Sequence, residues 1–145
     1  MIQIREATIE DAKVIHQITQ EELGYDYPLE QLREHLQTTL ISEREKVFVA
    51  EYDYQVVGYI HAHNYDSLFF EPMKNLLGLA VFSQYHRKGV GTMLLEAVEQ
   101  WGRDTGAYGI RVNSAKVRSG AHAFYRLQGY NEEKEQLRFI KKIAE

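Results

Sequence analysis

The alternation of apolar and polar residues near the N-terminus predicts a short strand followed by a helix. Ile2 and Ile4 lie on one face of the strand, because side chains alternate along an extended chain. Thr8 and Asp11 have the spacing of a capping box, in which each residue satisfies a free group of the other at a helix start. The helix that follows is expected to end near Gly24.

The middle of the chain predicts a second helix, a hairpin, a buried strand and a long helix. Leucines recur at helical spacing after residue 28, and residues 46–65 alternate as two strands around a turn. Residues 75–82 are mostly apolar, as in a central strand buried on both faces. The long helix begins after the glycines at 89 and 91 and is expected to stop at Gly106.

The last forty residues predict a strand, a short helix and a final strand. Residues 107–114 read as the first strand, residues 119–129 as the helix, and residues 135–143 as the last strand. The predicted order, β-α-α-β-β-β-α-β-α-β, is a mixed arrangement of the α+β or α/β class with a central sheet. The chain is expected to form one domain over residues 1–145, because a domain commonly has roughly 100–150 residues.

Composition excludes several kinds of function. The chain contains no cysteine, which excludes disulfides, thiolate nucleophiles and cysteine-based zinc sites. Its net charge of −4 argues against nucleic acid as a partner. No apolar run approaches the roughly 20 residues of a membrane helix, and the charged N-terminus lacks the apolar stretch of a signal peptide. We therefore expect a cytoplasmic protein with no membrane partner.

The start of the long helix has the features of an anion site. Arg87 and Lys88 precede Gly89 and Gly91, and glycines let the backbone N–H groups of a helix start approach a phosphate closely. A glycine-containing turn into an ordinary helix is the alternative. The P-loop pattern fails because only one residue separates the glycines, and the dinucleotide pattern fails because Leu94 stands where a third small residue is needed.

Two motifs in order resemble the GNAT superfamily of N-acetyltransferases. The first is the strand sequence Leu79-Ala80-Val81 with the loop 86–91, which is similar to the family pattern Gln/Arg-x-x-Gly-x-Gly/Ala. The second, "AHAFYRLQGY" at residues 121–130, resembles the family's later motif. His86 stands where relatives carry glutamine or arginine. We expect cofactor binding to be retained, because the family's pyrophosphate contacts come mostly from backbone N–H groups.

The resemblance implies an acyl-CoA N-acyltransferase fold with helices on both faces of a mixed sheet. Acetyl-coenzyme A is then expected in a V-shaped gap between the strands that end near Val81 and Asn113, with its pyrophosphate on residues 86–92. The implied cofactor-binding residues are Leu79, Ala80, Val81, His86, Arg87, Lys88, Gly89, Val90, Gly91, Thr92 and Asn113. Tyr125 matches the family tyrosine that protonates the leaving thiolate; the alternative is an aromatic residue on a helix face.

The residues on the acceptor side are less clearly marked. Many relatives carry a glutamate on the strand that ends at Val81, but this sequence has none there. His61 and His63 lie on one face of the neighbouring strand, where they are a partly exposed pair, a proton relay or, least favoured, two metal ligands. Tyr25, Asp26 and Tyr27 suit a cationic amine, or they form a solvated loop.

The function predicted from this resemblance is transfer of an acetyl group from acetyl-coenzyme A to a primary amine of a small molecule. The C-terminal sequence is similar to small-amine enzymes such as aminoalkylphosphonate and aminoglycoside 6′-N-acetyltransferases. A protein or peptide acetyltransferase, a non-catalytic acyl-CoA sensor and an unrelated nucleotide-binding protein remain as alternatives. No metal site is expected, and a homodimer stays open because relatives are often dimers.

Overall fold

A computed structural model describes residues 1–144 and contains five strands and four α-helices. The sheet strands, numbered β1 to β5, are Ile2–Glu6, Glu45–Tyr52, Gln55–Tyr65, Met73–Val81 and Gly109–Val112. The helices, numbered α1 to α4, are Ala12–Ile18, Leu29–Leu40, Val90–Asp104 and Ser119–Leu127. The contacts within the chain group residues 1–113 as one compact unit and the chain from Ser114 onward as a second.

The sheet has the strand order β1-β2-β3-β4-β5 and is mixed. The first four strands are antiparallel neighbours, and β5 pairs with β4 in parallel after the crossover through α3. Asp53 and Tyr54 form the two-residue turn between β2 and β3, both with positive φ, as tight hairpin turns require. The mixed sheet predicted from the sequence is thereby confirmed.

Helices cover both faces of the sheet. On one face, Val49 and Tyr59 pack against residues of α1 and α2, including Ile15, Ile18 and Leu36. On the other face lies α3, whose fully buried side chains are Val90, Leu94, Leu95 and Val98. The alternation of side chains along each strand supplies both cores, since successive residues point to opposite faces.

The N-terminal strand is fixed to the first helix by a partly buried ion pair. Asp11 accepts a hydrogen bond of 2.8 Å from the backbone N–H of Thr8, and the Arg5 guanidinium contacts both of its carboxylate oxygens at 2.8 and 3.0 Å. Burial acts to raise the pKa of Asp11, but the hydrogen bonds from Arg5 and Thr8 outweigh it and leave this pKa below its usual value. The capping box predicted from the sequence is confirmed.

Glycines in the left-handed conformation end three of the predicted helical segments. Gly24, Gly106 and Gly129 have φ of 77°, 78° and 90°, values that carry no steric penalty only for glycine. α1 continues into one π-helical turn, Thr19–Leu23, before Gly24. The predicted ends of these segments are confirmed.

The prediction of a final strand over residues 135–143 is wrong. Residues 130–144 contain no helix or strand, and Leu137, Phe139, Ile140 and Ile143 are exposed. Alternating apolar and charged residues allow a strand, but a strand forms only when its backbone pairs with a neighbour, which local sequence does not specify. Among residues 1–144, no helix is both long and apolar enough to cross a membrane.

Candidate active site

The candidate site begins where β4 and β5 stop pairing. The parallel ladder runs from Met73↔Gly109 to Leu76↔Val112, whereas β4 continues to Val81. Five residues of β4, or about 16 Å at roughly 3.3 Å per residue, therefore extend beyond β5, and the last four of them, Gly78 to Val81, pair with β3 only. In the described part of the chain, no strand pairs with their other backbone edge. This is the gap that the sequence placed between Val81 and Asn113.

A β-bulge marks the start of the gap. Ala62 pairs with Leu76 and His61 pairs with Gly78, so that Leu77 is an extra residue in β4. Gly78 lies on the face shared with Tyr59, whose hydroxyl is the nearest atom to the site of a missing Cβ, at 3.5 Å. The bulge and the glycine thus mark the point where β4 extends beyond β5, with the Tyr59 ring packed beside the glycine.

The loop after β4 contains the residues that the sequence predicts to bind an anion. Residues 86–89 make a turn, in which Arg87 has φ of 63° and Gly89 has φ of 85°. Gly89 is the N-cap of α3, and no heavy atom lies within 4 Å of the position of a Cβ there. The first-turn N–H groups of a helix have no intrahelical acceptor, so those of Val90 and Gly91 are suited to an anion. Arg87 and Lys88 are exposed beside them.

His86 ties this turn to the strand that precedes it. Its Nε2 lies 2.8 Å from the carbonyl oxygen of Val81, and because a carbonyl only accepts, Nε2 carries the proton and donates. The side chain that departs from the family pattern thus closes the turn over five residues. This hydrogen bond gives the exposed side chain of His86 a structural role that does not depend on a phosphate.

Glu22, from a distant part of the sequence, holds the segment just before this turn. Its carboxylate accepts hydrogen bonds from the backbone N–H of Ser83 at 3.1 Å and from the Ser83 hydroxyl at 2.8 Å. Glu22 belongs to the π-helical turn after α1, and π-helical turns are common at functional sites. The segment before Gly24 and the loop after β4 are therefore joined directly.

The predicted acceptor loop lies next to this junction. Tyr25 and Tyr27 are exposed, and Asp26 accepts a hydrogen bond of 3.2 Å from Gln20.

Tyr59 on β3 forms a hydrogen bond with Thr19 of the π-helical turn. The two hydroxyls lie 2.7 Å apart; Thr19 donates to the carbonyl of residue 15, so Tyr59 is the donor between them. Burial raises the pKa of Tyr59, and the nearby phenol of Tyr25 adds to the effect.

The two predicted histidines lie on one face of β3 but have different partners. His61 Nε2 is 2.9 Å from a carboxylate oxygen of Glu45 on β2. His63 Nε2 is 3.0 Å from the side-chain nitrogen of Asn75 on β4. Burial lowers the pKa of His63, and the neighbouring His61 lowers it further.

The polar row continues from Asn75 onto β5. The side-chain oxygen of Asn75 accepts a hydrogen bond of 2.8 Å from Arg111, which also approaches Asn113 at 3.4 Å and lies over the ring of Tyr65. Among the described residues, no group of three histidine, aspartate or glutamate side chains is arranged to hold a metal ion. The structure therefore makes His61 and His63 members of hydrogen-bonded pairs.

Tyr125 lies in α4, within the second unit. Its ring packs between those of Phe124 and Tyr130, with centroids 5.4 and 5.8 Å away. Burial raises the pKa of Tyr125, and the positive charge of Arg118 acts in the opposite direction. The phenol is therefore protonated near neutral pH, as a proton donor has to be.

Several residues of the site were not found from the sequence. Glu22 and Ser83 are 61 positions apart, and Glu45 is 16 positions from His61, so no local pattern connects them. The sequence showed only that Glu22 lies next to the predicted acceptor loop.

Comparisons with known proteins agree with this architecture. The chain superimposes on an aminoglycoside 6′-N-acetyltransferase from Acinetobacter haemolyticus with a TM-score of 0.85, at 20% identity over 98% of this chain and 99% of the other. The aminoglycoside N-acetyltransferase AAC(6′)-Iy, solved with a bisubstrate analogue of CoA and acetylneamine, gives 0.87 at 20% identity over 99% of each chain.

A third structure carries a different description. A transcriptional regulator from Bacillus halodurans C-125 gives a TM-score of 0.88 at 18% identity, over 97% of this chain and 100% of the other. No curated protein sequence matches the chain. At these identities the structural likeness shows the fold alone. The sequence profile of the acetyltransferase (GNAT) family matches residues 12–130, and the chain therefore belongs to the GNAT family of N-acetyltransferases, which use acetyl-coenzyme A as donor.

Proposed function

We propose that this protein transfers the acetyl group of acetyl-coenzyme A to a primary amine of a small molecule. The observation that carries the proposal is the continuity of β4. Its unpaired edge at residues 77–81 leads within a few residues to the turn 86–89 and the start of α3. One continuous stretch therefore offers backbone groups to an extended amide chain and N–H groups to a phosphate.

The donor is held by the chain in two places. The free backbone edge of Leu79 and Val81 pairs with the amides of the pantetheine arm, much as a strand would. The N–H groups at the start of α3, with Arg87 and Lys88, hold the pyrophosphate. Acetyl-coenzyme A supplies an activated thioester, and the chain's role is to orient that thioester and the amine toward each other.

The acceptor is proposed to bind next to the π-helical turn. Tyr25, Asp26 and Tyr27 offer two aromatic rings and a carboxylate to an ammonium group. Glu21 adds negative charge to the same stretch, whereas Glu30 is paired with Arg33. Structural neighbours described as aminoglycoside acetyltransferases also support a cationic small molecule as acceptor.

The proposal is tested by measuring thiol release from acetyl-coenzyme A with a panel of amines. The panel holds aminoglycosides, aminoalkylphosphonates, polyamines, amino acids and peptides with free N-termini. We expect saturable release with at least one small cationic amine and none with the peptides. Preference for peptides would replace the small-molecule acceptor with a protein, and tight CoA binding without release would favour the sensor.

Tyr125 is proposed as the acid that protonates the departing thiolate. Tyr125→Phe removes only the hydroxyl, so we expect turnover to fall about 100-fold, the lower end of general acid catalysis, while CoA affinity changes little. The control is the double variant Phe124→Tyr/Tyr125→Phe, which moves the hydroxyl to the neighbouring ring and is expected to be as slow as Tyr125→Phe. Equal turnover of Tyr125→Phe and the wild type would remove Tyr125 from the mechanism.

A further inference from the structure

We propose that His61 is the base that takes the proton of the attacking amine, and that Glu45 holds the imidazole in the reactive tautomer. The inference rests on the proposed function, since it assigns a residue for the step that the family's strand glutamate performs in many relatives. It starts from the hydrogen bonds of His61 and His63, which differ although the sequence pattern gave the two histidines the same possible roles.

The position of His61 places it beside the mouth of the gap. It pairs with Gly78, the first residue after the bulge and therefore the first paired residue of β4 beyond the ladder with β5. Paired residues across antiparallel strands point to the same face, so the His61 imidazole lies on the face that Gly78 leaves without a side chain. The Tyr59 hydroxyl lies on that face as well, 3.5 Å from the position of a Cβ at Gly78. His61 is thus the residue of β3 that pairs with the start of the unpaired edge.

The hydrogen bond to Glu45 determines which ring nitrogen is available. An ionised carboxylate only accepts, so Nε2 of His61 carries the proton in the bond of 2.9 Å. The hydroxyl of Thr39 also donates to this carboxylate, at 3.4 Å, which is consistent with an acceptor-only group. Nδ1 is then the basic nitrogen, and it has no hydrogen-bond partner in residues 1–144. A carboxylate on the opposite nitrogen also stabilises the imidazolium that forms.

The neighbouring histidine is in the opposite state. Arg111 has only donors, so it fixes the side-chain oxygen of Asn75 on its own side and turns the Asn75 NH₂ toward His63. His63 Nε2 therefore accepts, and its lone pair is occupied. Burial, together with the charges of Arg111 and Arg44, opposes protonation of His63 and lowers its pKa, while Glu45 acts in the opposite direction.

The proton balance of the step is simple. The lone pair of the neutral amine forms the new N–C bond at the thioester carbonyl carbon, and the C–S bond breaks with its electron pair on sulfur. The proton lost from the amine nitrogen passes to Nδ1 of His61, and the thiolate takes a proton from Tyr125, the acid proposed above. No oxidant, metal or further reactant is needed.

The tautomers are measured directly, without turnover, in long-range ¹H–¹⁵N correlation spectra of the labelled protein at about pH 8, where imidazole is ordinarily neutral. We expect His61 with its proton on Nε2 and His63 with its proton on Nδ1, assigned by His61→Gln and His63→Gln. A proton on Nδ1 of His61 would overturn the inference, because the nitrogen assigned as the base would then be a donor.

The kinetic arm uses the same matched pair. We expect His61→Gln to lower kcat about 100-fold, as for loss of a general base, and to abolish the fall of kcat at acid pH. His63→Gln, two residues away on the same face, keeps that fall and changes kcat less than about threefold. Glu45→Gln lowers kcat about tenfold without changing the KM for acetyl-coenzyme A, because Glu45 acts only through His61.

Two outcomes of the kinetic arm are distinguishable. If the wild type acetylates an amine and His61→Gln keeps both its turnover and its acid-pH fall, the inference is wrong and the proposed function stands. If the wild type transfers acetyl to no amine while it binds CoA, the proposed function fails and the inference fails with it.

Discussion

The two halves of β4 are one strand with different surroundings. Met73 to Leu76 pairs with β3 on one side and β5 on the other, and it contains the buried Lys74, Asn75 and Leu76. After the bulge at Leu77, Gly78 to Val81 still pairs with β3 but no longer has β5 beside it. The first half lies inside the sheet. The second half leads to the turn 86–89, which is the proposed site of the CoA pyrophosphate and is called the anion turn.

The difference arises from the length of the neighbouring strand. β5 has only four residues, and the bulge at Leu77 bends β4 where β5 ends. The open edge does not come from polar residues, since Lys74 and Asn75 lie in the first half and Leu77 to Val81 has no polar side chain. The free backbone edge therefore results from an absent partner strand. The largest effects are expected from changes that act only on the open half of β4, residues 77–81, and on the turn that follows it.

The largest effect is expected from a negative charge at the end of the open half. Gly89→Asp places a carboxylate among N–H groups meant for phosphate, and repulsion of roughly 3 kcal/mol weakens CoA binding by at least about 100-fold. Gly89→Asn is the matched control: it has the same shape, tolerates the left-handed conformation and lacks the charge. Calorimetric titration with CoA measures both variants. Equal affinities would show that phosphate does not lie at this turn.

A smaller effect is expected from the β3 side of the open half. A Cβ at Gly58 would lie 3.0 Å from the Ala80 carbonyl oxygen and 3.0 Å from a Val81 methyl group. We expect Gly58→Ala to reduce the free energy of unfolding by about 1–3 kcal/mol, because backbone must move. Gly78→Ala, whose Cβ would lie in ordinary contact with the Tyr59 ring and its hydroxyl, at 3.5 Å or more, is the control. Urea unfolding compares the two, and equal stability would contradict close packing at Gly58.

A change at His86 tests the link between the open half and its turn. His86→Ala removes the donor to the Val81 carbonyl, and we expect CoA to bind about tenfold more weakly because the turn is less fixed, a cost of about 1.4 kcal/mol. His86→Gln also offers an N–H donor and recovers most of the affinity. If alanine and glutamine bind CoA equally, the hydrogen bond has no part in binding.

The smallest effect is expected in the closed half of β4, residues 73–76, which pairs with both neighbouring strands and where Asn75 lies opposite His63. Burial lowers the pKa of His63, so the unfolded chain takes up a proton more readily than the folded protein as the pH falls. Stability from this group is present above the ordinary histidine pKa of about 6.5 and is lost below it. Urea midpoints between about pH 8 and pH 5 should therefore fall more for the wild type than for His63→Gln. Parallel curves would contradict the shift.

The sequence predicted features with a local cause and missed those that depend on pairing. Gly24 and Gly106 end helical segments through their own backbone freedom, and Thr8 with Asp11 forms its cap within four residues. The bulge at Leu77 depends on how β3 and β4 align, which no local pattern determines. Residues 135–143 have the alternation of a strand but no strand pairing, so their pattern was misleading.

The same distinction holds within the candidate site. An anion site at this turn was predicted because glycines and basic residues are adjacent in the sequence and the family motifs cover the same positions, and it stays a prediction. The roles of Glu45 and Glu22 could not be found, since each depends on a hydrogen bond between separate elements. His61 and His63 were identical in the sequence pattern and differ only through what lies opposite them.

The segment that leads from β4 into the turn 86–89 is held by two side chains of the protein itself. Glu22 accepts hydrogen bonds from Ser83, and His86 donates one to the carbonyl oxygen of Val81. A turn that is already ordered loses little conformational entropy when a ligand arrives, so more of the contact energy appears as affinity. The order comes from folding, when α1 and the sheet come together. Loss of contact between Glu22 and Ser83 would therefore raise the entropic cost of binding while every group proposed to contact phosphate remained in place.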